Sequence, residues 1–140
     1  MTVFSTNALI DRTDNSQAGF STRRLPPSTA VISAHGEIDA TNANEFAGYA
    51  LRHTGEVERL AVDLTEVEFF GTAGLSALKA IEAQCSVRDI DWVLVPSKPV
   101  NRLLRICDPE SDWHTCYSVA AALSTLNGKT PLLQLVTKSR

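Results

Sequence analysis

A chain of 140 residues with 44% hydrophobic content can bury one core and is too apolar for a disordered segment. Its formal net charge of −3, without any run of Lys or Arg, argues against nucleic acid as a direct partner. No apolar run approaches the roughly 20 residues of a membrane helix, and the opening MTVFSTNALIDRTDN carries no basic leader, so a soluble, cytoplasmic protein without membrane insertion is expected.

Taken in order, residues Met1–Ala18 are polar and weakly patterned and read as a mobile N-terminal arm. They precede a domain over 19–126 and a tail over 127–140. Phe20–Leu25 alternates loosely, Pro26-Pro27-Ser28-Thr29 breaks the run as a turn would, and Ala30–Ala34 follows as a second strand. The two predict a hairpin at an antiparallel edge.

Gly36-Glu37-Ile38-Asp39 comes next, and Asp39 or Thr41 can accept from the free amides of a following helix. That helix carries the stripe Ala43, Phe46, Ala47, Ala50 and Leu51 and stops near Gly55. Leu60–Leu64 is a short apolar run suited to a strand covered on both faces. Phe69 and Phe70 lead into Gly71-Thr72-Ala73-Gly74-Leu75. From there Ala77, Leu78, Ile81 and Cys85 return at helical spacing, leaving Ser76, Lys79 and Ser86 to solvent. Thr72 falls in the first turn of this helix, where free N–H groups and the positive dipole end tolerate a phosphate. The same hydroxyl also reads as a plain helix cap.

Asp91–Val95 is a further strand, and Pro99 suits the first turn of a short helix with Val100, Leu103, Leu104 and Ile106. Trp113–Tyr117 reads as a last short strand and Ser118–Leu126 as a last helix capped by Ser118. The tail holds Leu132, Leu133, Leu135 and Val136, apolar enough to pack on the domain or on a partner. Strands alternating with helices predict an α/β fold: a mixed, mostly parallel sheet of four to five strands with about four helices.

The residues offer little for catalysis. Cys85, Cys107 and Cys116 form no CxxC pair, and His35, His53 and His114 lie far apart, so no metal site is expected. Cys85 falls on the core face and reads as an inert thiol. There is no Gly-x-Ser-x-Gly elbow, Walker loop or GxGxxG, and neither a cofactor nor an enzyme activity is expected.

Together, Gly36-Glu37-Ile38-Asp39, Asp63-Leu64-Thr65-Glu66-Val67-Glu68-Phe69 and Gly71-Thr72-Ala73-Gly74-Leu75 resemble the STAS domain family, most of all its free-standing bacterial anti-sigma factor antagonists. The resemblance runs from about Phe20 to Leu126. The family's third segment is usually Asp-Ser-Ser/Thr-Gly-Leu, with the first hydroxyl taking a phosphate. Here that hydroxyl is Thr72, the preceding Asp is replaced by Gly71 and the second hydroxyl by Ala73.

The resemblance implies a STAS-like fold and a role as an anti-sigma factor antagonist. Such a protein binds an anti-sigma factor of kinase-like fold, releases its sigma factor, and is switched by phosphorylation, here at Thr72. It implies a partner-binding patch of Glu37, Asp39, Phe70, Gly71, Thr72 and Ala73, on a chain that is a monomer or weak dimer alone. The alternative is an unphosphorylated accessory STAS subunit of a membrane transporter or of a stress-signalling assembly.

Overall fold

The computed structural model describes residues 10–14, 17–110 and 113–128. Among them, five strands and four helices follow in the order β1 (Ile10–Asp14), β2 (Ala18–Leu25), β3 (Thr29–Ile38), α1 (Ala43–Arg52), β4 (Arg59–Phe70), α2 (Thr72–Val87), β5 (Asp91–Val95), α3 (Lys98–Cys107) and α4 (Val119–Leu126). The strands form one sheet in sequence order. β1 and β2 pair antiparallel, as do β2 and β3, while β3–β4 and β4–β5 are parallel. The fold is the expected α/β arrangement, with the sheet divided evenly between the two pairing modes.

That even division comes from β1. Ile10–Asp14 lies inside the stretch read as an arm, yet it pairs along β2 from Ile10↔Arg23 to Asp14↔Gly19. Ala18, the last residue of the expected arm, opens β2 and is buried. The polar sequence of this segment suits an edge strand. Residues 1–9 of the expected arm and Lys129–Arg140 of the tail lie outside the described residues.

Alternation along the strands divides the side chains between two cores. Ile32, Leu60, Val62 and Leu94 point to the face covered by α1, α2 and α3, with Phe46, Leu78, Ile81, Val100 and Leu104 packed on them. Val31, Ala61, Val93 and Val95 point to the opposite face, which α4 covers with Ala122 and Leu126. This double burial is why Leu60–Leu64 is apolar at consecutive positions. Of the residues expected on buried faces, Phe46, Val62, Leu78 and Ile81 are buried, whereas Leu51 at the end of α1 is only partly covered.

Two helix caps match their sequence signals. Ser97 Oγ accepts from the Val100 N–H at 3.4 Å and Ser118 Oγ from the Ala121 N–H at 3.0 Å. The expected strand Trp113–Tyr117 reduces to one parallel bridge, Thr115 with Leu94. The Leu94 N–H donates to the His114 carbonyl at 2.8 Å and the Cys116 N–H to the Leu94 carbonyl at 2.9 Å. β5 itself is only five residues long, so it offers a short edge to pair with.

β4 is the longest strand at 12 residues, and it runs well past the end of β5. Its register with β3 shifts twice, between Ser33 and His35 and again between Gly36 and Glu37. Each shift inserts one extra residue on the β4 side. Bulges of this kind bend a strand and re-aim its side chains. Here they end the simple alternation, so that Thr65, Glu66, Glu68 and Phe69 are all exposed between the buried Leu64, Val67 and Phe70.

Candidate functional site

Because β3 and β4 are parallel, the loops that follow them emerge at one end of the sheet. The Gly71 N–H donates to the Ile38 carbonyl at 2.9 Å and so ties the two loops together. A Cβ built on Gly71 would lie 3.8 Å from the Asp39 Cα. Glu37, Asp39, Gly71, Thr72 and Ala73 are therefore neighbours on one face, Glu37 and Thr72 exposed and the other three partly so.

Phe70 does not share that face. It is 4% exposed and belongs to the core beneath α2. A Cβ on Gly74 would come within 2.6 Å of its ring, so the absent side chain lets α2 sit down on Phe70. The exposed phenyl is its neighbour Phe69, at 50%. Two consecutive aromatics in a strand must point to opposite sides, and the two one-residue bulges of β4 together leave Phe70 in phase with the core-facing Leu60, Val62 and Leu64.

The β3–α1 loop is organised by Asp39. Its Oδ1 accepts from the Thr41 hydroxyl at 2.6 Å and the Thr41 N–H at 2.9 Å, and its Oδ2 from Gln17 Nε2 at 2.9 Å. The Thr41 hydroxyl also lies 2.9 Å from Gln17 Oε1. The Thr41 hydroxyl first, then Gln17, then the Thr41 amide hold the Asp39 carboxyl below its usual range. Asn42, not Asp39 or Thr41, stands at the N-cap of α1; its side chain instead spans the loop, accepting from the Asp39 N–H and donating to the Glu37 carbonyl.

Gly36 explains how Gln17 reaches the site. Its φ of +95° belongs to the left-handed region, and a Cβ there would collide with the Gln17 carbonyl oxygen. The bare backbone lets Gln17 close against the end of β3, with the Glu37 N–H donating to the Gln17 carbonyl at 3.1 Å. Gln17 is a site residue that sequence reasoning missed, because it lies in the stretch read as an arm.

At the other loop, Gly71 is the N-cap of α2 and Thr72 its first helical residue. Gly71 is extended (φ −88°, ψ 177°), a conformation open to any residue. Its lack of a side chain is thus not a backbone requirement. No side chain caps α2. The exposed Thr72 hydroxyl makes no hydrogen bond among the described residues, and the cap role that the sequence also allowed for it is not used. The open amides of the first turn and the dipole of a 16-residue helix face outward beside it.

Next to this face lies an open cleft of about 570 Å³ between the bulged β4 and the start of α3. His35, Gly36, Thr65–Glu68 and Ser97–Pro99 line it. It holds Glu66, Glu68 and Lys98 but no group of three metal-ligating side chains, and none occurs elsewhere among the described residues. The thiols are separate: Cys85 is buried, Cys116 partly so, and Cys107 exposed. Among the described residues, no helix is long and apolar enough to cross a membrane.

Comparison with known proteins agrees with this architecture. The STAS domain family model matches residues 22–122. Osmosensory protein A of Mycobacterium tuberculosis is 32% identical over 100 residues, a match that covers 69% of this chain and 63% of that protein's length. Among solved structures, an anti-sigma factor antagonist from Mycobacterium paratuberculosis superposes with a TM-score of 0.71 at 20% identity, over 82% of this chain and 98% of the other. The anti-sigma factor antagonist SpoIIAA in its unphosphorylated form gives 0.63 at 15% identity, over 78% and 96%. With the family match spanning most of the described fold, the chain belongs to the STAS domain family.

Proposed function

We propose that this chain is an anti-sigma factor antagonist whose binding face is the end of the sheet where Glu37, Asp39, Gly71, Thr72 and Ala73 meet. It engages a kinase-fold anti-sigma factor and so frees the sigma factor. The partner then transfers the γ-phosphoryl group of ATP to Thr72 Oγ1. The hydroxyl proton is lost, ADP leaves, and the complex separates. The observation that carries this reading is Thr72 itself: an exposed hydroxyl, engaged by no cap bond, at the open N-terminus of a long helix. The likeness to antagonists of known structure supports the fold on which the reading rests.

A panel of purified kinase-fold anti-sigma factors from the source genome tests it by calorimetry, followed by Mg-ATP and mass spectrometry. One member should bind the unmodified chain and then phosphorylate Thr72. Thr72→Ala should keep binding and lose the label, and Thr72→Glu should weaken binding. Binding without any label on Thr72 would retire the phospho-switch. A second reading, an unphosphorylated accessory subunit of a transporter or signalling assembly, draws on Gly71 and Ala73, which stand where the family usually has Asp and a second hydroxyl. Constitutive recovery with such an assembly would favour it.

A further inference from the structure

Phe69 is the one large apolar side chain exposed beside Thr72. Among the described residues, the other exposed large hydrophobics are Val87 at the end of α2, Ile106 near the end of α3 and Tyr117 in the loop before α4. Phe69 differs from them in being held in a strand. Its Cα is registered to Glu37 on β3, and its ring lies 3.4 Å from where a Gly71 Cβ would be. An aromatic side chain on a backbone already fixed by sheet pairing loses little freedom when it docks.

Gly71 takes its meaning from this contact. Its backbone angles suit any residue, so glycine is not needed for the turn. An Asp at this position would set a carboxylate against the Phe69 ring; glycine leaves the ring bordered by bare backbone. Glu37, registered to Phe69, and Glu66 and Glu68, which precede it on β4 and line the adjacent cleft, are exposed carboxylates, none of them in an ion pair among the described residues. Lys98, across the neighbouring cleft, is the one cation lining it.

We infer that Phe69 is the apolar anchor of the binding face, and that the partner it fits is a protein presenting an apolar recess rimmed by Arg or Lys. An aromatic anchor with charged groups at its border is the usual anatomy of a binding hot spot. The acidic rim supplies the complementarity that selects a basic border and speeds encounter. The inference rests on the antagonist reading, since it describes the same face.

The test uses the anti-sigma factor that binds the wild-type chain in the panel above. Phe69→Thr, which keeps a strand-forming residue, should weaken binding about 30-fold, as expected for loss of a hot spot. Phe69→Leu, retaining an apolar body, should cost only a few-fold. Val87→Ser, an equally apolar change at the far end of α2, should leave binding within about twofold. Wild-type affinity should also fall as salt is raised. Phe69→Thr binding within about twofold of wild type would overturn the inference while leaving the antagonist reading intact. So would a wild-type dimer, found by sedimentation, that Phe69→Thr dissolves, since the face would then belong to a second copy. If no panel member binds the wild-type chain, the reading fails and the inference with it. Circular dichroism melts confirm that the variants are folded; Phe69→Leu carries the comparison should Phe69→Thr unfold.

Discussion

Gly74→Ala should destabilise the protein, even though alanine is the better helix former. An added Cβ would lie 2.6 Å from both Cε1 and Cζ of Phe70 and 2.9 Å from its Cδ1. Carbon atoms in good contact stand about 3.5–4.0 Å apart, so the ring or the helix must give by roughly 1 Å. The ring is badly placed to yield: Phe70 is 4% exposed and its registered neighbour, Ile38, is fully buried. Overpacking of this kind costs about 1–3 kcal/mol. Replacing a helical glycine by alanine returns at most about 1 kcal/mol, and less here, since Gly74 is only the third residue of α2. A net loss of about 1–2 kcal/mol is expected, measured by urea unfolding. The cause is separable by a double-mutant cycle. Phe70→Leu shortens the obstructing ring, so Gly74→Ala should be close to neutral in that background, a coupling of about 1–2 kcal/mol. Additive single and double variants, or a Gly74→Ala protein as stable as wild type, would show that the Phe70 contact does not limit the approach of α2.

Gly36→Ala combines a left-handed backbone with a clash against the Gln17 carbonyl oxygen, and should cost about 1–3 kcal/mol in the same unfolding assay; an unchanged midpoint would refute the close approach of Gln17 to Gly36. The Asp39 carboxyl is held below its ordinary value of 3.8 by Thr41 and Gln17, so the folded chain binds fewer protons there than the unfolded one. Its stabilising effect is therefore complete above about pH 4 and is lost as the pH falls through the lowered value. Thermal melts of Thr41→Val should show a shallower acid dependence than wild type, and equal slopes would exclude the network as its source. Burial first, and then the Glu82 carboxylate, push the Cys85 thiol up to about 11 against the opposing Arg88. A thiol reagent at pH 8 should modify Cys107 readily and Cys85 only on unfolding, while native labelling of Cys85 at the rate of Cys107 would contradict its burial.

Much of this molecule was legible because its periodicities are clean. The doubly buried Leu60–Leu64 strand, the α1 and α2 stripes, and the Ser97 and Ser118 caps each depend on local pattern, and local pattern is what a sequence displays. Other features depend on partners distant in the chain. Ile10–Asp14 has an edge-strand sequence with no apolar face to announce it, and only β2 makes it a strand. Gln17 becomes a site residue through Gly36, whose glycine signals an unusual backbone but not which segment closes on it. The placement of Phe69 and Phe70 is different: the two one-residue bulges on β4 together shift the alternation by two, so Phe70 keeps the core-facing phase of Leu60, Val62 and Leu64, and alternation along β4 alone already turns Phe69 outward.

In the proposed switch, these features also determine where a phosphate would act. On the free chain it would sit at the open end of α2, where a negative charge is favoured by about 0.3–1 kcal/mol. Repulsion from the exposed Glu37, Glu66 and Glu68 is softened by water and by salt, which screens exposed charges beyond about 8 Å. The fold should therefore tolerate the modification, and Thr72→Glu should melt at or slightly above the wild-type temperature. Inside a complex the balance reverses, because enclosing an unpaired charge costs several kcal/mol, far more than the helix end returns. Gly71 sharpens this contrast. A carboxylate at the N-cap would compete for the same first-turn amides and repel the phosphate, whereas glycine leaves those amides open to it. Gly71→Asp alone should thus be neutral or slightly stabilising, but combined with Thr72→Glu it should lose the benefit of both. Additive stabilisation in the double variant would mean that the two negative groups do not share the helix end, and that Gly71 plays no part in receiving a charge on Thr72.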